Sequence, residues 1–315
     1  MNSSLAFVFP GQGSQSVGML AKLAEASPVV RATFDEASAV LGYDLWQLSQ
    51  HGPAEDLNAT ERTQPAMLAA GIATWRLWRE RGGAQPAVVT GHSLGEFTAL
   101  TAAGAIDFPV CIDLVRFRAR AMQEAVPAGS GAMAALLGLE DAEVEAACAE
   151  AAAGAGVVEA VNYNSPGQVV IAGERAAVLR AIEAAKTRGA KRALELPVSV
   201  PAHSSLMKSA GVRLAEKLAA TPLRTPDIRY LSAVDAREHQ DPDDIRRLLV
   251  AQISSPVRWT ATVAALADGG AKYIIECGPG AVLASLVKRI TRGTDTQTAA
   301  LETPESLATS LSTVS

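Results

Sequence analysis

Pro86-Ala87-Val88-Val89-Thr90-Gly91-His92-Ser93-Leu94-Gly95-Glu96 is the stretch on which the reading of this chain turns. Residues 87–90 are a short apolar run between Pro86 and Gly91, the pattern of a buried strand. Residues 94–103 carry a helical pattern that stops at Gly104. Between them lies Gly91-x-Ser93-x-Gly95, a serine at the tip of a strand-to-helix turn. That turn is tight enough for a Cβ at either end to meet neighbouring backbone, so glycine is expected at both 91 and 95. Ser93 Oγ is then exposed, and the Leu94 amide points at the same place. That amide can hold a developing oxyanion, helped by the positive end of the helix dipole. The spacing alone recurs by chance in many chains. The strand before it and the helix after it make Ser93 the candidate nucleophile.

Working outward, residues 5–9 are apolar and closed by Pro10-Gly11, which predicts a second buried strand. Residues 12–16 are small and polar, and helical patterns follow to about residue 80. Residues 112–126 predict a helix stopped by Pro127, and 204–220 another. Strands are expected at 228–233 and 273–276, with Gly278-Pro279-Gly280 turning into a last helix over 281–292. Strands alternating with helices predict an α/β fold with a parallel sheet covered on both faces. The middle of the chain differs. It reads as strand 131–139, helix 141–153, strands 157–162 and 168–172 joined by Asn164-Ser165-Pro166-Gly167, helix 174–188 and strand 193–197. This β-α-β-β-α-β order predicts an inserted ferredoxin-like subdomain. The expected organisation is a discontinuous core of residues 1–126 and 200–293, a small subdomain of 127–199, and a Thr/Ser-rich, loosely held tail of 294–315.

The chain has 315 residues, 49% of them hydrophobic and 19% charged, with a net charge of −5. That apolar share supports a large core and excludes general disorder. The negative charge argues against a nucleic-acid binder, whose footprint is basic. Cys111, Cys148 and Cys277 are far apart and in no C-x-x-C pair, which predicts reduced, buried thiols and neither disulfides nor a metal site. The N-terminus lacks the basic region of a signal peptide, and the apolar runs fall short of the ~20 residues that span a membrane. A cytoplasmic protein is expected.

A serine nucleophile needs a base. The histidines are His51, His92, His203 and His239. His51 and His239 lie in polar and charged segments and read as solvated. The His92 side chain leaves the elbow in another direction. His203 follows an apolar loop, starts a helix and comes after the serine in chain order, so it is the candidate base. No Asp or Glu between Ser93 and His203 sits in an obvious strand-end turn, so a Ser–His pair with a carbonyl orienting the imidazole is expected.

Phe9-Pro10-Gly11-Gln12-Gly13-Ser14-Gln15, Gly91–Glu96, Asn162-Tyr163-Asn164-Ser165-Pro166-Gly167-Gln168, Ser199-Val200-Pro201-Ala202-His203, Pro256-Val257-Arg258-Trp259 and Gly278-Pro279-Gly280 occur in this order. Together they resemble the malonyl-CoA:acyl-carrier-protein transacylases from about residue 5 to 293. The resemblance implies an α/β-hydrolase-like core with the ferredoxin-like insert. It implies Ser93 as acylated nucleophile, His203 as base, the Gln252 carbonyl as orienter of His203, and an oxyanion hole from the amides of Gln12 and Leu94. It implies that Arg118 binds the malonyl carboxylate, with His92 and Asn162 supporting the site. A guanidinium fork suits a carboxylate, a contact of about 1.5–3 kcal/mol, or about tenfold to over a hundredfold against acetyl. Helical spacing by itself does not choose: Arg116 and Arg118 flank the apolar stripe equally, and Arg120 lies further out.

The implied reaction is ping-pong transfer from malonyl-CoA to acyl carrier protein through a malonyl-serine, serving fatty acid synthesis and needing no cofactor. A monomer is expected, with no nucleic-acid or membrane partner. Carrier proteins of this kind are acidic, so Lys186, Arg188, Lys191 and Arg192 are candidates for docking, with Lys208, Arg213 and Lys217 a second cluster. Competing readings are a serine hydrolase or thioesterase, an acyltransferase component of malonate decarboxylase or polyketide synthesis, and a docking subunit without turnover.

Overall fold

The computed structural model describes residues 2–154, 156–198 and 200–314. Its strands are β1 (Asn2–Phe9), β2 (Pro86–Gly91), β3 (Gly131–Leu137), β4 (Val158–Ser165), β5 (Gln168–Glu174), β6 (Arg192–Glu195), β7 (Arg229–Leu231), β8 (Glu238–His239), β9 (Tyr273–Glu276) and β10 (Gln297–Ala300). The first sheet runs β10-β9-β1-β2-β7-β8 and is parallel except for β8. Strand β1 shows why both faces are covered. Leu5, Phe7 and Phe9 enter one apolar layer, and Ala6 and Val8 enter the other; all five are fully buried. Parallel strands flanked by helices have this double burial. On the first face Phe7 meets Trp75 and Trp78 edge-on, with ring centroids 5.7 and 5.2 Å apart. Both tryptophans lie on the helix Thr60–Glu80. On the second face Trp259, Val263 and Leu283 close over the sheet.

The second sheet runs β4-β5-β3-β6 and is antiparallel, the strand order of a ferredoxin-like unit. Ala132, Ala134 and Leu136 pack under the helices Asp141–Ala153 and Arg175–Thr187. Met133, on the opposite face, joins Val161, Val170 and Ala172 beside Val198 and Ala202. The sheet is tied to the main body through Val257. Its N–H donates to the Val161 carbonyl at 2.9 Å, and its carbonyl accepts from Tyr163 N–H at 3.0 Å. The Pro256–Trp259 and Asn162–Gln168 motifs thus meet along one edge.

Residues 294–314 do not behave as the loose tail that the composition of 294–315 predicts. Strand β10 pairs in parallel with β9, and the helix Pro304–Thr313 begins on a reciprocal cap between Thr303 and Ser306. Leu301, Leu307 and Val314 are buried. Leu307, Leu311 and Val314 stand at i, i+4 and i+7, a helical period in the sequence that the Thr/Ser-rich composition masks. Other boundaries move by a few residues. The helix expected at 112–126 starts earlier, at Phe108–Gln123, because Pro109 is well placed in a first turn. The loop expected at 164–167 narrows to Pro166-Gly167, since β4 continues through Ser165. The helix expected at 204–220 is a short 3-10 turn followed by Lys208–Ala219, and that at 281–292 is Val282–Ile290. Ser199, in the segment before His203, lies outside the described residues.

Candidate active site

The elbow sits at the carboxyl end of β2, where open parallel sheets place their ligands. A Cβ on Gly91 would lie 1.9 Å from the Gly95 carbonyl carbon, and one on Gly95 would lie 2.0 Å from the Phe9 carbonyl oxygen. Only glycine fits at either position. The chain between them is forced into a left-handed turn, with Ser93 at φ 54°. His203 is also left-handed, at φ 67°. Non-glycine residues at positive φ are uncommon and cluster where function imposes them. Here the candidate nucleophile and the candidate base are two of the four such residues described.

Ser93 Oγ lies 2.7 Å from His203 Nε2. On the other side of the ring, Nδ1 is 2.8 Å from the Gln252 main-chain carbonyl. A carbonyl only accepts, so Nδ1 carries the proton and Nε2 is the acceptor for the serine hydroxyl. Burial first, and then the Arg118 guanidinium, holds the imidazole down to about 3, so it is neutral at physiological pH. The Gln252 carbonyl thus occupies the place that a carboxylate takes in a Ser-His-Asp triad.

Arg118 is 1% exposed on the helix Phe108–Gln123, with its guanidinium carbon 5.4 Å from the Phe97 ring centroid. Nη1 donates to Gln64 Oε1 at 2.8 Å, and Nη2 donates to Gln252 Oε1 at 2.8 Å and to Ser93 Oγ at 3.2 Å. Among the described residues Nε has no hydrogen-bond partner, and no carboxylate touches the guanidinium. Burial lowers Arg118 to about 10, so it stays a cation near neutrality. A buried cation held only by neutral oxygens is suited to receive an anion. Arg116 instead pairs with Asp113, and Arg120 is exposed. The packing therefore makes the choice that helical spacing leaves open.

These groups open into a cleft of about 430 Å³ between the main body and the small sheet. One wall carries the side-chain amides of Gln12, Gln15, Asn58 and Gln64; the other carries Met133, Leu196, Val198 and Val200. Gln12 and Leu94 both line it, and among the described residues neither main-chain N–H has a hydrogen-bond partner. The loop bearing Gln12 runs against the elbow, for a Cβ on Gly11 would lie 2.5 Å from the His92 carbonyl oxygen. Gly278 backs the same loop, where a Cβ would come within 2.9 Å of the Pro10 ring. His92 Nε2 donates to Asn164 Oδ1 at 2.8 Å, and its ring lies 5.5 Å from Trp259. Asn162 lines the cleft too.

A model of the acyl transferase domain matches residues 6–304. The chain belongs to the acyl transferase domain family. Over 310 residues it is 54% identical to the malonyl CoA-acyl carrier protein transacylase of Escherichia coli (strain K12), covering 98% of this chain and 99% of that protein. It superposes on the malonyl CoA-acyl carrier protein transacylase of Coxiella burnetii with a TM-score of 0.97 at 46% identity, over 100% of this chain and 98% of that one. A malonyl-transacylase solved in complex with its type II PKS acyl-carrier protein gives a TM-score of 0.96 at 52% identity, over 98% of this chain and 99% of that one.

Two features of this acyl transferase escaped sequence reasoning. Glu96, the last residue of the elbow motif, is 1% exposed. Its carboxylate accepts from Tyr230 Oη at 2.6 Å, from Ala233 N–H at 2.7 Å and from the Gln252 side chain. The second is Gln64, whose pairing with Arg118 spans two helices and leaves no local pattern in the sequence. A charged residue inside an apolar helix was the available signal for Glu96; its partners are remote in sequence. The basic clusters are also less free than their composition suggests. Lys186 pairs with Glu183, Arg188 with Glu143 and Glu150, Arg213 with Glu124, and Lys217 with Asp113. Lys191 and Arg192 are exposed, and among the described residues neither makes an ion pair.

Proposed function

We propose that this acyl transferase moves a malonyl group from malonyl-CoA to the phosphopantetheine thiol of an acyl carrier protein, in support of fatty acid synthesis. The observation that carries this reading is a hydrogen-bonded Ser93–His203 pair next to a buried Arg118 whose contacts are all neutral. The pair suits acyl transfer, and the unmatched cation suits an acyl group ending in a carboxylate. The names of the relatives supply the donor and the carrier.

In the first half-reaction Nε2 of His203 takes the Ser93 proton as Oγ bonds to the thioester carbonyl carbon. The amides of Gln12 and Leu94 stabilise the oxyanion. The C–S bond then breaks, and CoA leaves as a thiol carrying the proton from His203. In the second half the carrier thiol gives its proton to His203, attacks the acyl-serine carbonyl and releases Ser93. The Gln252 carbonyl holds the imidazole tautomer throughout, and Arg118 holds the malonyl carboxylate. His92 and Asn162 shape the cleft wall. Both half-reactions are acyl exchange between thioester and serine, so no cofactor enters. The enzyme is taken to act as a monomer. No helix among the described residues is long and apolar enough to cross a membrane. A cytoplasmic location goes with a role in fatty acid synthesis. Lys191 and Arg192 are the preferred docking cations for the acidic carrier. A plain hydrolase would have no use for the buried Arg118.

Brief mixing with radiolabelled malonyl-CoA tests the reading. Wild-type protein acquires one acid-stable label that carrier protein discharges, and Ser93→Ala protein acquires none. Label retained by Ser93→Ala protein would overturn the nucleophile assignment.

A further inference from the structure

We propose that Arg118 also gates the Ser93–His203 pair: the free guanidinium restrains nucleophile and base together, and a carboxylate bound to it releases both. The proposal rests on the reading that Arg118 receives the acyl carboxylate.

The restraint has two parts. The hydroxyl hydrogen of Ser93 is committed to His203 Nε2, because Nδ1 carries the ring proton donated to the Gln252 carbonyl. Arg118 Nη2 therefore donates, at 3.2 Å, into the lone-pair density of Oγ that must attack the carbonyl carbon. The second part is charge. Two hydrogen bonds of 3.2 and 2.7 Å link the guanidinium through Oγ to Nε2, so the imidazolium formed during catalysis stands close to a like charge. At an effective dielectric of about 20, like charges about 6 Å apart change proton affinity by up to about a hundredfold. Inside the protein Glu96 offsets this in part, since its charge favours the Arg118 cation, but Gln252 stands between the two and, among the described residues, no carboxylate touches the guanidinium. The other titratable or charged groups around the imidazole are His92, which is neutral, and Glu96, which stands behind Gln252. The Arg118 contacts to Gln64 and Gln252 carry no charge.

A malonyl carboxylate on Arg118 supplies an anion in direct contact, which none of the described residues does, and occupies N–H groups that otherwise engage Oγ. The cation is matched, the Oγ lone pair is freed, and His203 becomes a better base. Because the carboxylate stays attached to the acyl-serine, the base is still active when the carrier thiol arrives. Acyl groups lacking a carboxylate bind less well and also meet a restrained pair. Discrimination then acts on kcat as well as KM.

A neutral probe reads the gate without malonyl chemistry. Phenylmethylsulfonyl fluoride reacts by forming an O–S bond to Ser93 Oγ and breaking S–F; fluoride leaves and the serine proton passes to His203. The rate of Ser93 sulfonylation, followed by intact-protein mass, is measured on the full chain against sodium formate, with ionic strength held by sodium chloride. The expected result is a saturable rise of at least about fivefold, with the pH midpoint of the rate moving upward. Arg118→Gln protein should react faster than wild type without formate and show no formate response. A rate that stays flat or falls with formate in wild type overturns the proposal, as does an equal rise in Arg118→Gln. The wild-type arm stands even if the variant fails to fold. Since the probe is not an acyl group, failure here is distinguishable from failure of malonyl transfer.

Discussion

Replacing Glu96 with Gln tests the support behind the site. The carboxylate is buried and surrounded by donors: the Tyr230 hydroxyl, the Ala233 N–H and the Gln252 side-chain amide. Burial raises its proton affinity, and those donors lower it again. Glutamine keeps the shape but turns one oxygen into an NH2 group. If that group faces Gln252, two donors oppose each other and the Gln252 amide must turn over. Its Oε1 then leaves Arg118, and its Nε2 leaves the Ser93 carbonyl, now 2.9 Å away. If the group faces Ala233, a buried main-chain N–H loses its acceptor. Either way at least one buried donor is orphaned, at about 1–3 kcal/mol. The anion nearest the buried Arg118 is removed as well, so about 2–4 kcal/mol is expected in total. Scanning calorimetry of Glu96→Gln protein at pH 7.5 should show Tm lowered by about 3–8 °C. Kinetics well below Tm should show kcat/KM for malonyl transfer reduced by at least about tenfold, with acetyl transfer affected less, because the loosened group is Arg118. Unchanged Tm and unchanged malonyl selectivity would refute the reasoning, since they would mean that Gln252 holds its orientation without the carboxylate.

Two further outcomes follow from the geometry. A Gly95→Ala substitution places a Cβ 2.0 Å from the Phe9 carbonyl oxygen, so β1 and the elbow helix must separate by about 1 Å; kcat/KM should fall at least about a hundredfold, and near-wild-type kinetics would show that the elbow is not sterically fixed. Glu276 is fully buried, with Oε2 accepting from Ala284 N–H at 2.8 Å and, among the described residues, no hydrogen-bond partner for Oε1. Burial raises it from 4.5 to about 8, so its neutral form favours the folded state: the contribution is complete below about pH 4.5 and is lost as pH rises through 8. Wild-type Tm should therefore decline between pH 6 and 9 more steeply than that of Glu276→Gln protein, and parallel curves would exclude Glu276 as the cause.

The elbow was legible because its physics is local. Strand, turn and helix are written in eleven consecutive residues, and the two glycines answer contacts made within that span or with adjacent β1. The small subdomain was legible for a similar reason, since each of its elements carries its own period and is joined to the next by a short turn. The C-terminal strand was not. Gln297-Thr298-Ala299-Ala300 has almost no apolar character, and it forms an edge strand because β9 is there to pair with. The basic clusters are legible only in part: a run of cations is visible in the sequence, but Glu143 and Glu150, which meet Arg188, lie on another helix.

Arg118 shows where the limit falls within the site itself. Its helix offers Arg116 and Arg118 equally to the core, and what separates them is the identity of partners 54 and 134 residues away, Gln64 and Gln252. Gln252 also stands where an acidic third member would stand beside His203. Its main-chain oxygen accepts from His203 Nδ1, while its side-chain oxygen holds the guanidinium and its amide nitrogen reaches the Ser93 carbonyl. A main-chain oxygen leaves no mark in a sequence, since every residue has one. Joining His203, Ser93 and Arg118 through one residue at the end of the helix Pro242–Gln252 means that none of the three can shift alone. A displacement of that helix moves His203 and Arg118 together, so perturbations there should change acylation rate and acyl selectivity in step, whereas damage confined to the Gln64 side should loosen Arg118 and leave the imidazole in place.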